Sequence, residues 1–354
     1  MPIPTEPIGS IPRSPELLEA MRAHAAGQIS DERFHAVEEA ALRDTISRLE
    51  ATESPVITDG EQSKPSFATY PLVGLENLAA DGVTIPFADG HTRQLPRLTG
   101  GPFRYGVHAV TYLKAAQQHT QRPVKQAVIS ASALSLLYPQ SGLNGYPREA
   151  FLEDLIQEAE RDIRESLEAN AACVQIDFTE GRLALKLDPS GVLLNTFIDL
   201  NNRVLDRFSN AERQKIGVHT CPGGDHDSTH SADVDYTGLL PGLFRLRVGR
   251  FYVQLASEAD RRRVLTTIRN LLKPGKMLFV GVTDPIDSKI ESPEAVRDRV
   301  LEAAEFIPLE WLGTTDDCGF SPFADDVSTS RETAFVKVKN RVEGTAMAGK
   351  VLGV

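Results

Sequence analysis

Short apolar runs alternate along the chain with longer stretches in which apolar residues recur every three or four positions. The short runs are rich in β-branched residues, as is typical of parallel strands covered on both faces. The longer stretches have the spacing of amphipathic helices, and several follow a serine that can cap a helix N-terminus. The predicted strands are Pro4–Gly9, Val56–Thr58, Val124–Ile129, Cys173–Asp177, Gly217–Cys221, Phe251–Ala256, Met277–Val282 and Trp311–Thr315. The clearest predicted helices are Pro15–Ala26, Asp31–Glu50, Arg148–Ala169, Asp260–Leu272 and Pro293–Ala304.

Eight strands that alternate with helices predict an α/β fold, specifically a (β/α)8 TIM barrel. The alternation is interrupted near residues 67–104, a stretch rich in proline and glycine, which we interpret as a hairpin insertion rather than a domain. A barrel with such an insertion accounts for the full length of 354 residues. We therefore expect residues 1–354 to form a single catalytic barrel domain whose site lies at the carboxyl ends of the strands.

The composition is that of an ordinary soluble globular protein, with 41% hydrophobic and 25% charged residues. A formal net charge of −11 argues against nucleic acid and membrane surfaces as partners, because both favour positively charged proteins. The N-terminal segment lacks the basic and apolar parts of a secretory signal. Because there are only three cysteines, a disulfide framework is not expected, and we predict a cytoplasmic location.

The strongest candidate for chemistry is the segment His219-Thr220-Cys221 at the end of a predicted strand. Alternate residues of a strand point to the same side, so the imidazole and the thiol can bind one ion. Cys318 follows the last predicted strand and should lie on the same rim of the barrel. One imidazole and two thiolates suit zinc and leave a fourth position open. A buried cysteine is more often a small apolar residue, which is how we interpret Cys173.

Three further segments, together with those that contain His219-Thr220-Cys221 and Cys318, resemble the catalytic C-terminal barrel of cobalamin-independent methionine synthase and its barrel-only relatives. Residues 7–13, P-I-G-S-I-P-R, resemble the family's I-G-S-[FIL]-P opening, which binds homocysteine. The D-G-E of residues 59–61 and the Q-I-D of residues 175–177 resemble motifs whose carboxylates bind the same substrate. H-x-C at 219–221 and D-C-G at 317–319 resemble the zinc elements. The resemblance assigns substrate binding to Ile8, Gly9, Ser10, Glu61 and Asp177, and metal binding to His219, Cys221 and Cys318.

The chain departs from the family's pattern in three places. The family's fourth zinc ligand is a glutamate, and the nearest match here is Gln254, whose neutral amide is a poorer ligand. Phe178-Thr179-Glu180 stands where the family has E-P-A, and Asp284-Pro285-Ile286-Asp287-Ser288 replaces the D-I-H-S-P that carries its proton-donating histidine. Methyltetrahydrofolate is therefore expected to be a poor donor. These departures also fit epoxyalkane:coenzyme M transferase, a second branch that the chain resembles.

The resemblance implies a zinc-dependent thiol S-alkyltransferase, with methyl transfer to homocysteine through a zinc-bound thiolate giving methionine. Two alternatives remain: an epoxide-opening coenzyme M-type thiol transferase, and a non-catalytic zinc- or thiol-binding barrel. A sulfonate thiol would need cations, for which Arg245, Arg247 and Arg250 are candidates. The expected partners are a small-molecule thiol and an alkyl donor, with a corrinoid protein among the candidate donors. Zinc is the expected cofactor, and no catalytic residue is assigned beyond the zinc site.

Overall fold

The computed structural model describes residues 2–354, and every helix and strand of the fold lies within that range. The helices are α1 (Pro15–Ala25), α2 (Asp31–Ala51), α3 (Val110–Gln117), α4 (Ala131–Leu134), α5 (Arg148–Glu168), α6 (Glu180–Leu187), α7 (Val192–Leu205), α8 (Asn210–Arg213), α9 (Tyr236–Leu243), α10 (Arg261–Leu271), α11 (Pro293–Ala304) and α12 (Arg331–Leu352). Short 3-10 helices occupy Tyr70–Leu72, Ser135–Leu137 and Leu309–Trp311. The strands are β1 (Leu78–Ala79), β2 (Thr84–Pro86), β3 (Thr92–Gln94), β4 (Arg97–Leu98), β5 (Gln126–Ile129), β6 (Val174–Asp177), β7 (Ile216–Thr220), β8 (Gly224–Asp225), β9 (Ser228–Thr229), β10 (Arg250–Val253), β11 (Met277–Thr283) and β12 (Leu312–Asp316).

A parallel sheet forms most of the barrel wall, with strands in the order β12–β11–β10–β7–β6–β5 over the described residues. Two more segments extend it at its edges through isolated parallel bridges. Thr5 pairs with Thr314 of β12, and Ile57 pairs with Val124 just before β5. These segments coincide with the first two predicted strands, so the wall has the eight positions that the alternating pattern predicts.

The two added segments also meet each other, which closes the wall into a ring. The Ile11 amide donates to the Gly60 carbonyl at 3.0 Å, and the Thr58 hydroxyl donates to the Gly9 carbonyl at 2.8 Å. The helices cover the outside of the ring, and a continuous apolar core lies between the two layers. This closed arrangement confirms the predicted (β/α)8 barrel.

The segment near residues 67–104 is an insertion built from nested antiparallel pairs, as predicted. β1 pairs with β4, and within that pair β2 pairs with β3. The predicted strand at Trp311 begins one residue later, because Leu309–Trp311 forms a 3-10 turn. No helix within residues 2–354 is long and apolar enough to cross a membrane.

Arg341 joins the C-terminal helix α12 to the closing segment of the barrel. Its side chain is fully buried, donates to the Thr5 hydroxyl at 2.8 Å, and forms an ion pair with Asp316 at 3.0 Å. Asp316 also accepts a hydrogen bond from Thr283 at 2.7 Å. A buried charge that loses its partner is strongly unfavourable, so this pair is important for the stability of the closed ring.

We therefore expect Arg341→Met to lower the free energy of unfolding by about 3–5 kcal/mol, because it leaves the Asp316 carboxylate without its cation. Denaturant unfolding monitored by circular dichroism measures the change. The control is Arg262→Met, since Arg262 is exposed and pairs with Glu305 at 2.8 Å, and its loss should cost less than about 0.5 kcal/mol. Equal, small effects of the two substitutions would contradict this account.

Candidate metal and substrate site

Three predicted ligand residues converge at the carboxyl end of the barrel. His219 lies in β7, Cys221 follows that strand, and Cys318 lies two residues beyond β12. All three are buried, and their candidate ligand atoms lie within 4.8 Å of one another. The Cys221 and Cys318 sulfurs are 3.0 Å apart and belong to free thiols. The fold thus brings together an imidazole and two thiols, although the two cysteines are 97 residues apart along the chain.

The hydrogen bonding of this group leaves the ring nitrogens of His219 free for an ion. Among residues 2–354, neither ring nitrogen of His219 has a hydrogen-bond partner, although both are buried. A buried polar atom without a partner costs free energy, and a bound metal would remove that cost. The hydrogen bond with Cys221 and burial raise the pKa of the Cys318 thiol. A cation between the sulfurs would have the opposite effect, because it stabilises thiolates.

Asp317 fixes the loop that carries Cys318 against the segment that follows β10. Its carboxylate accepts hydrogen bonds from the Leu255 and Ala256 amides at 2.8 Å and from the Ser257 amide at 2.7 Å. Gly281 permits this approach, because a side chain there would clash with the Asp317 carboxylate. Packing therefore accounts for the aspartate of the Asp-Cys-Gly sequence independently of any metal.

Gln254, at the place of the family's fourth ligand, has its amide engaged elsewhere. The amide nitrogen donates to Ser257 at 2.9 Å and to Glu258 at 2.8 Å, while the oxygen accepts from Arg182 at 3.3 Å. Glu258 in turn pairs with Arg182 at 2.8 Å. Both groups belong to this polar network, so we do not expect either side chain to bind the metal.

A cluster of carboxylates lies beside the metal group. β6 and β7 pair in parallel register with Asp177 opposite His219, so the acid is held next to a candidate ligand. Asp177 accepts from Gln175 at 2.8 Å, and Glu61 pairs with Lys64 at 3.2 Å. Burial raises the pKa of Asp177 and of Glu61, and each lies in the field of other charged groups.

Lys64 neutralises only part of this cluster. Its pKa is raised: burial acts against the charge, but Glu61, Asp59 and Asp177 outweigh it. Three carboxylates therefore lie near Lys64, and the buried Arg13 guanidinium is a second cation in the field of Glu61 and Asp59. The three acids still outnumber these two cations, so a further cation would be stabilised here. Glu61 is held in the left-handed region at φ 54°, with its amide donating to Asp59 at 3.0 Å. Such strain in a non-glycine residue is typical of functional sites.

The predicted substrate segment Ile8, Gly9 and Ser10 lies between the acids and the metal group. The Ile8 carbonyl accepts from Gln175 at 3.1 Å, and the Ser10 carbonyl accepts from the Phe320 amide at 3.0 Å. The Ser10 side chain accepts from the Ser321 amide at 3.1 Å. A side chain at position 319 would lie 2.1 Å from the Ser10 hydroxyl, so only glycine fits beside Cys318.

These groups border one cavity of about 280 Å³ at the carboxyl end of the barrel. Its wall has two chemically different parts: a polar part that carries the metal group and the acids, and an apolar part formed by side chains from the barrel and the hairpin insertion. The apolar part comprises Phe67, Ile85, Phe87, Leu95, Ile129, Ala133, Leu134, Leu136, Leu183 and Phe323.

The insertion covers this cavity through Arg93 of β3. Its guanidinium bonds to Asp225 at 2.5 and 3.0 Å and to Asp325 at 2.8 and 3.0 Å, and it stacks on Phe323 at 4.3 Å. Asp225 lies in the loop after Cys221, so the cover is attached to the metal-bearing loop. The guanidinium of Arg93 therefore already pairs with the carboxylates of Asp225 and Asp325.

The arginines considered for a sulfonate thiol lie away from the cavity. Arg245 and Arg247 bond to polar side chains of α7 and its C-terminal end. Arg250 is at the opposite, N-terminal end of β10, where it pairs with Glu6 at 2.7 Å. The expectation that they bind a sulfonate is therefore not supported. Arg93 borders the cavity but is already paired with two carboxylates.

Sequence reasoning assigns no role to several residues of the cavity wall. Glu180 stands out in the sequence only as a departure from the E-P-A motif, yet it is buried in the wall. Burial lowers the pKa of His230 to about 4, and its ring fills the space above Gly223. Lys64 pairs with a predicted substrate residue. The sequence offers one indication that Glu180 belongs to the site: it is an acidic residue three positions after Asp177, which ends a strand.

Comparisons with known proteins agree with this architecture. A family model described as "Cobalamin-independent synthase, Catalytic domain" matches residues 3–346. The chain is 22% identical to the uncharacterized protein YxjH of Bacillus subtilis, over 97% of this chain and 93% of that protein. It is 21% identical to a methionine synthase of Sulfurisphaera tokodaii, over 99% of this chain and 94% of that protein.

A solved structure shares the fold over the full length of both chains. The B12-independent methionine synthase from Shewanella sp. W3-18-1, in complex with selenomethionine, matches with a TM-score of 0.76 and 18% identity, covering 100% of each chain. Fold and site together define a (β/α)8-barrel protein with a candidate soft-metal centre. The chain belongs to the cobalamin-independent synthase catalytic-domain family, a methyltransferase family related to methionine synthase.

Proposed function

We propose that this protein is a zinc-dependent methyltransferase that transfers a methyl group to the thiol of homocysteine and so forms methionine. The observation that carries the proposal is the register of β6 and β7, which holds Asp177 beside His219. His219 is suited to bind a metal that activates a thiol, and Asp177 beside it is suited to accept hydrogen bonds from the ammonium group of an amino acid. The relatives named methionine synthase support the choice of substrate.

The residues of the metal group fit zinc. His219, Cys221 and Cys318 provide one nitrogen and two sulfur donors, and both nitrogens of the imidazole lack partners in the described chain. Three protein ligands leave a position open, as in catalytic zinc sites. Zinc held there would lower the pKa of the substrate thiol and so make it a better nucleophile at neutral pH.

The polar wall then orients the rest of the amino acid. Asp177 and Glu61 would accept hydrogen bonds from the substrate ammonium, which adds a cation to a cluster that Lys64 and Arg13 neutralise only in part. Ile8, Gly9 and Ser10 would contact the substrate through the backbone of the closing segment and the Ser10 side chain. We also infer that residues 1–354 act as one catalytic domain, since the site uses residues from both ends of the chain.

The first prediction concerns the metal. The purified protein is expected to bind about one zinc ion per chain, and Cys221→Ser or Cys318→Ser should remove most of it, because each deletes a thiolate ligand. Elemental analysis measures occupancy, and circular dichroism checks the fold. Cys173→Ser is the matched control, because Cys173 is buried beside Tyr252 and outside the metal group. Full zinc occupancy in both ligand variants would rule out the assignment.

The second prediction concerns the thiol substrate. Homocysteine should add one sulfur to the zinc environment measured by X-ray absorption. Asp177→Asn and Glu61→Gln should each weaken its binding by about 1.5–3 kcal/mol, the scale of a charge-assisted hydrogen bond. The Asp177 variant is the cleaner one, because Glu61→Gln also leaves Lys64 without its partner.

The control ligand is 4-mercaptobutanoate, which has the thiol and the carboxylate of homocysteine but no amino group. Its affinity should change little in either variant, because neither carboxylate contacts an ammonium. If 2-mercaptoethanesulfonate alters the zinc spectrum and homocysteine does not, the sulfonate-thiol function replaces the one proposed. If neither thiol binds, the barrel does not act on these thiols.

A further inference from the structure

Glu180 is a buried acid in the wall of the same cavity that has no role in thiol binding. It is the first residue of α6, only 5% exposed, and borders the apolar part of the wall. Ser130 donates to its Oε1 at 2.5 Å, and Ser132 donates to the same oxygen. Within residues 2–354, Oε2 has no hydrogen-bond partner. One oxygen is therefore anchored, and the other is available to carry a proton.

The surroundings of Glu180 favour the protonated carboxyl at neutral pH. Burial raises its pKa to about 7, although the two serine hydroxyls act in the other direction, and the charge of Asp177 raises it further. The elements packed against it contribute neutral groups, Ser130 and Ser132 around α4 and Asn201 of α7. The ionisable groups that share the cavity wall are Glu61, Arg93, Asp177, His219, Cys221, His230, Cys318 and Asp325.

The position of Glu180 is not explained by thiol binding or by stability alone. Arg182, two residues later, turns to Glu258 at 2.8 Å and does not pair with it. A glutamine would accept the same serine hydrogen bonds without the cost of a buried ionisable group. A carboxylic acid whose free oxygen is buried beside a cavity is instead suited to proton transfer, which is most effective when the pKa is near the working pH.

We propose that Glu180 is the general acid that protonates the leaving group of the alkyl donor, which makes it a catalytic residue of the transfer. This inference rests on the proposed function. The donor class that follows is one whose methyl group is bound to a nitrogen or oxygen, because such a leaving group departs poorly as an anion. The family's histidine is absent from residues 284–288, which is the reason for expecting methyltetrahydrofolate to be a poor donor. In this proposal Glu180, at the start of α6, supplies the proton instead.

The step balances as follows. A sulfur lone pair of the substrate thiolate forms the new C–S bond while the carbon–nitrogen or carbon–oxygen bond breaks with its electrons on the heteroatom. The proton on Glu180 Oε2 moves to that heteroatom, which leaves as a neutral amine or alcohol. Glu180 remains as a carboxylate, with Oε1 held by Ser130 and Ser132, and regains its proton from solvent before the next turnover.

The test compares two methyl donors in the zinc-loaded protein with homocysteine, and follows labelled methionine by mass spectrometry. 5-Methyltetrahydropteroyltriglutamate has an amine leaving group that needs a proton, whereas S-methylmethionine leaves as a neutral thioether that needs none. Glu180→Gln should lower the ratio of the amine-donor rate to the sulfonium-donor rate by about 10²–10⁴-fold, the usual contribution of a positioned acid. The effect should fall on kcat, with the KM for homocysteine little changed.

Two further readouts separate an acid from a structural residue. The wild-type rate with the amine donor should fall as the pH rises through about 7, the pKa to which burial raises Glu180, and Glu180→Gln should lack this limb. Infrared difference titration should show carboxylic acid absorption lost over the same range, and the part due to Glu180 should be missing in Glu180→Gln, whereas the part due to Asp317, whose pKa burial also raises to about 7, should remain. The matched control is Glu158→Gln, because Glu158 is also buried but pairs with His108 at 3.0 Å, outside the cavity, and it should keep both signals.

Each result bears on the proposal. The proposal is overturned if Glu180→Gln lowers the rates with the two donors equally, or does not lower the rate with the amine donor. It is also overturned if the wild-type protein turns over the sulfonium donor alone, or if no infrared band depends on Glu180. No turnover with either donor, in protein that binds homocysteine through sulfur, would overturn it together with the proposed methyl transfer. Failure of homocysteine to add a sulfur at zinc would refute the proposed function separately, since the infrared titration still reports whether Glu180 is protonated.

Discussion

The closing of the barrel by residues 4–11 is the constraint on which the rest of the site depends. This segment pairs with β12 through Thr5 and reaches the second barrel segment through Ile11 and Gly60. On the way it anchors the Cys318 loop, because Ser10 bonds to Phe320 and Ser321. The segment that closes the ring therefore also positions the loop that carries Cys318, one of the candidate metal ligands.

Within that frame, the cavity is asymmetric in a way that suits two different reactants. One side combines soft donors with Asp177 and Glu61, and the proposed homocysteine substrate rests on this combination. The other side is apolar, and Glu180 borders it. Ser130 and Ser132 hold one carboxyl oxygen of Glu180 by hydrogen bonds. Burial beside this apolar side makes the ionised carboxylate of Glu180 unfavourable and so favours its protonated form. The same surroundings thus keep the proton that the proposed transfer needs.

Much of the fold was predictable, because buried parallel strands require apolar runs and their helices require amphipathic spacing. The strand positions follow directly from those patterns, and the hairpin insertion follows from the proline- and glycine-rich stretch that interrupts them. Helix α12 was not predicted, because its buried face carries charged, polar and small residues, including Lys337, Arg341 and Gly344, and so lacks a simple apolar stripe. The chemistry of a buried arginine cannot be read from periodicity, since its partners Thr5 and Asp316 are distant in sequence.

The sequence by itself determined the barrel, the residue types of the metal group and the acids expected near it, because local spacing places each at the end of a strand. Only the tertiary structure decided what surrounds them. It placed Arg245, Arg247 and Arg250 away from the cavity and engaged Gln254 with other side chains. It also buried Glu180 with one oxygen anchored. These properties depend on desolvation and on partners far along the chain, and neither is encoded in the spacing of neighbouring residues.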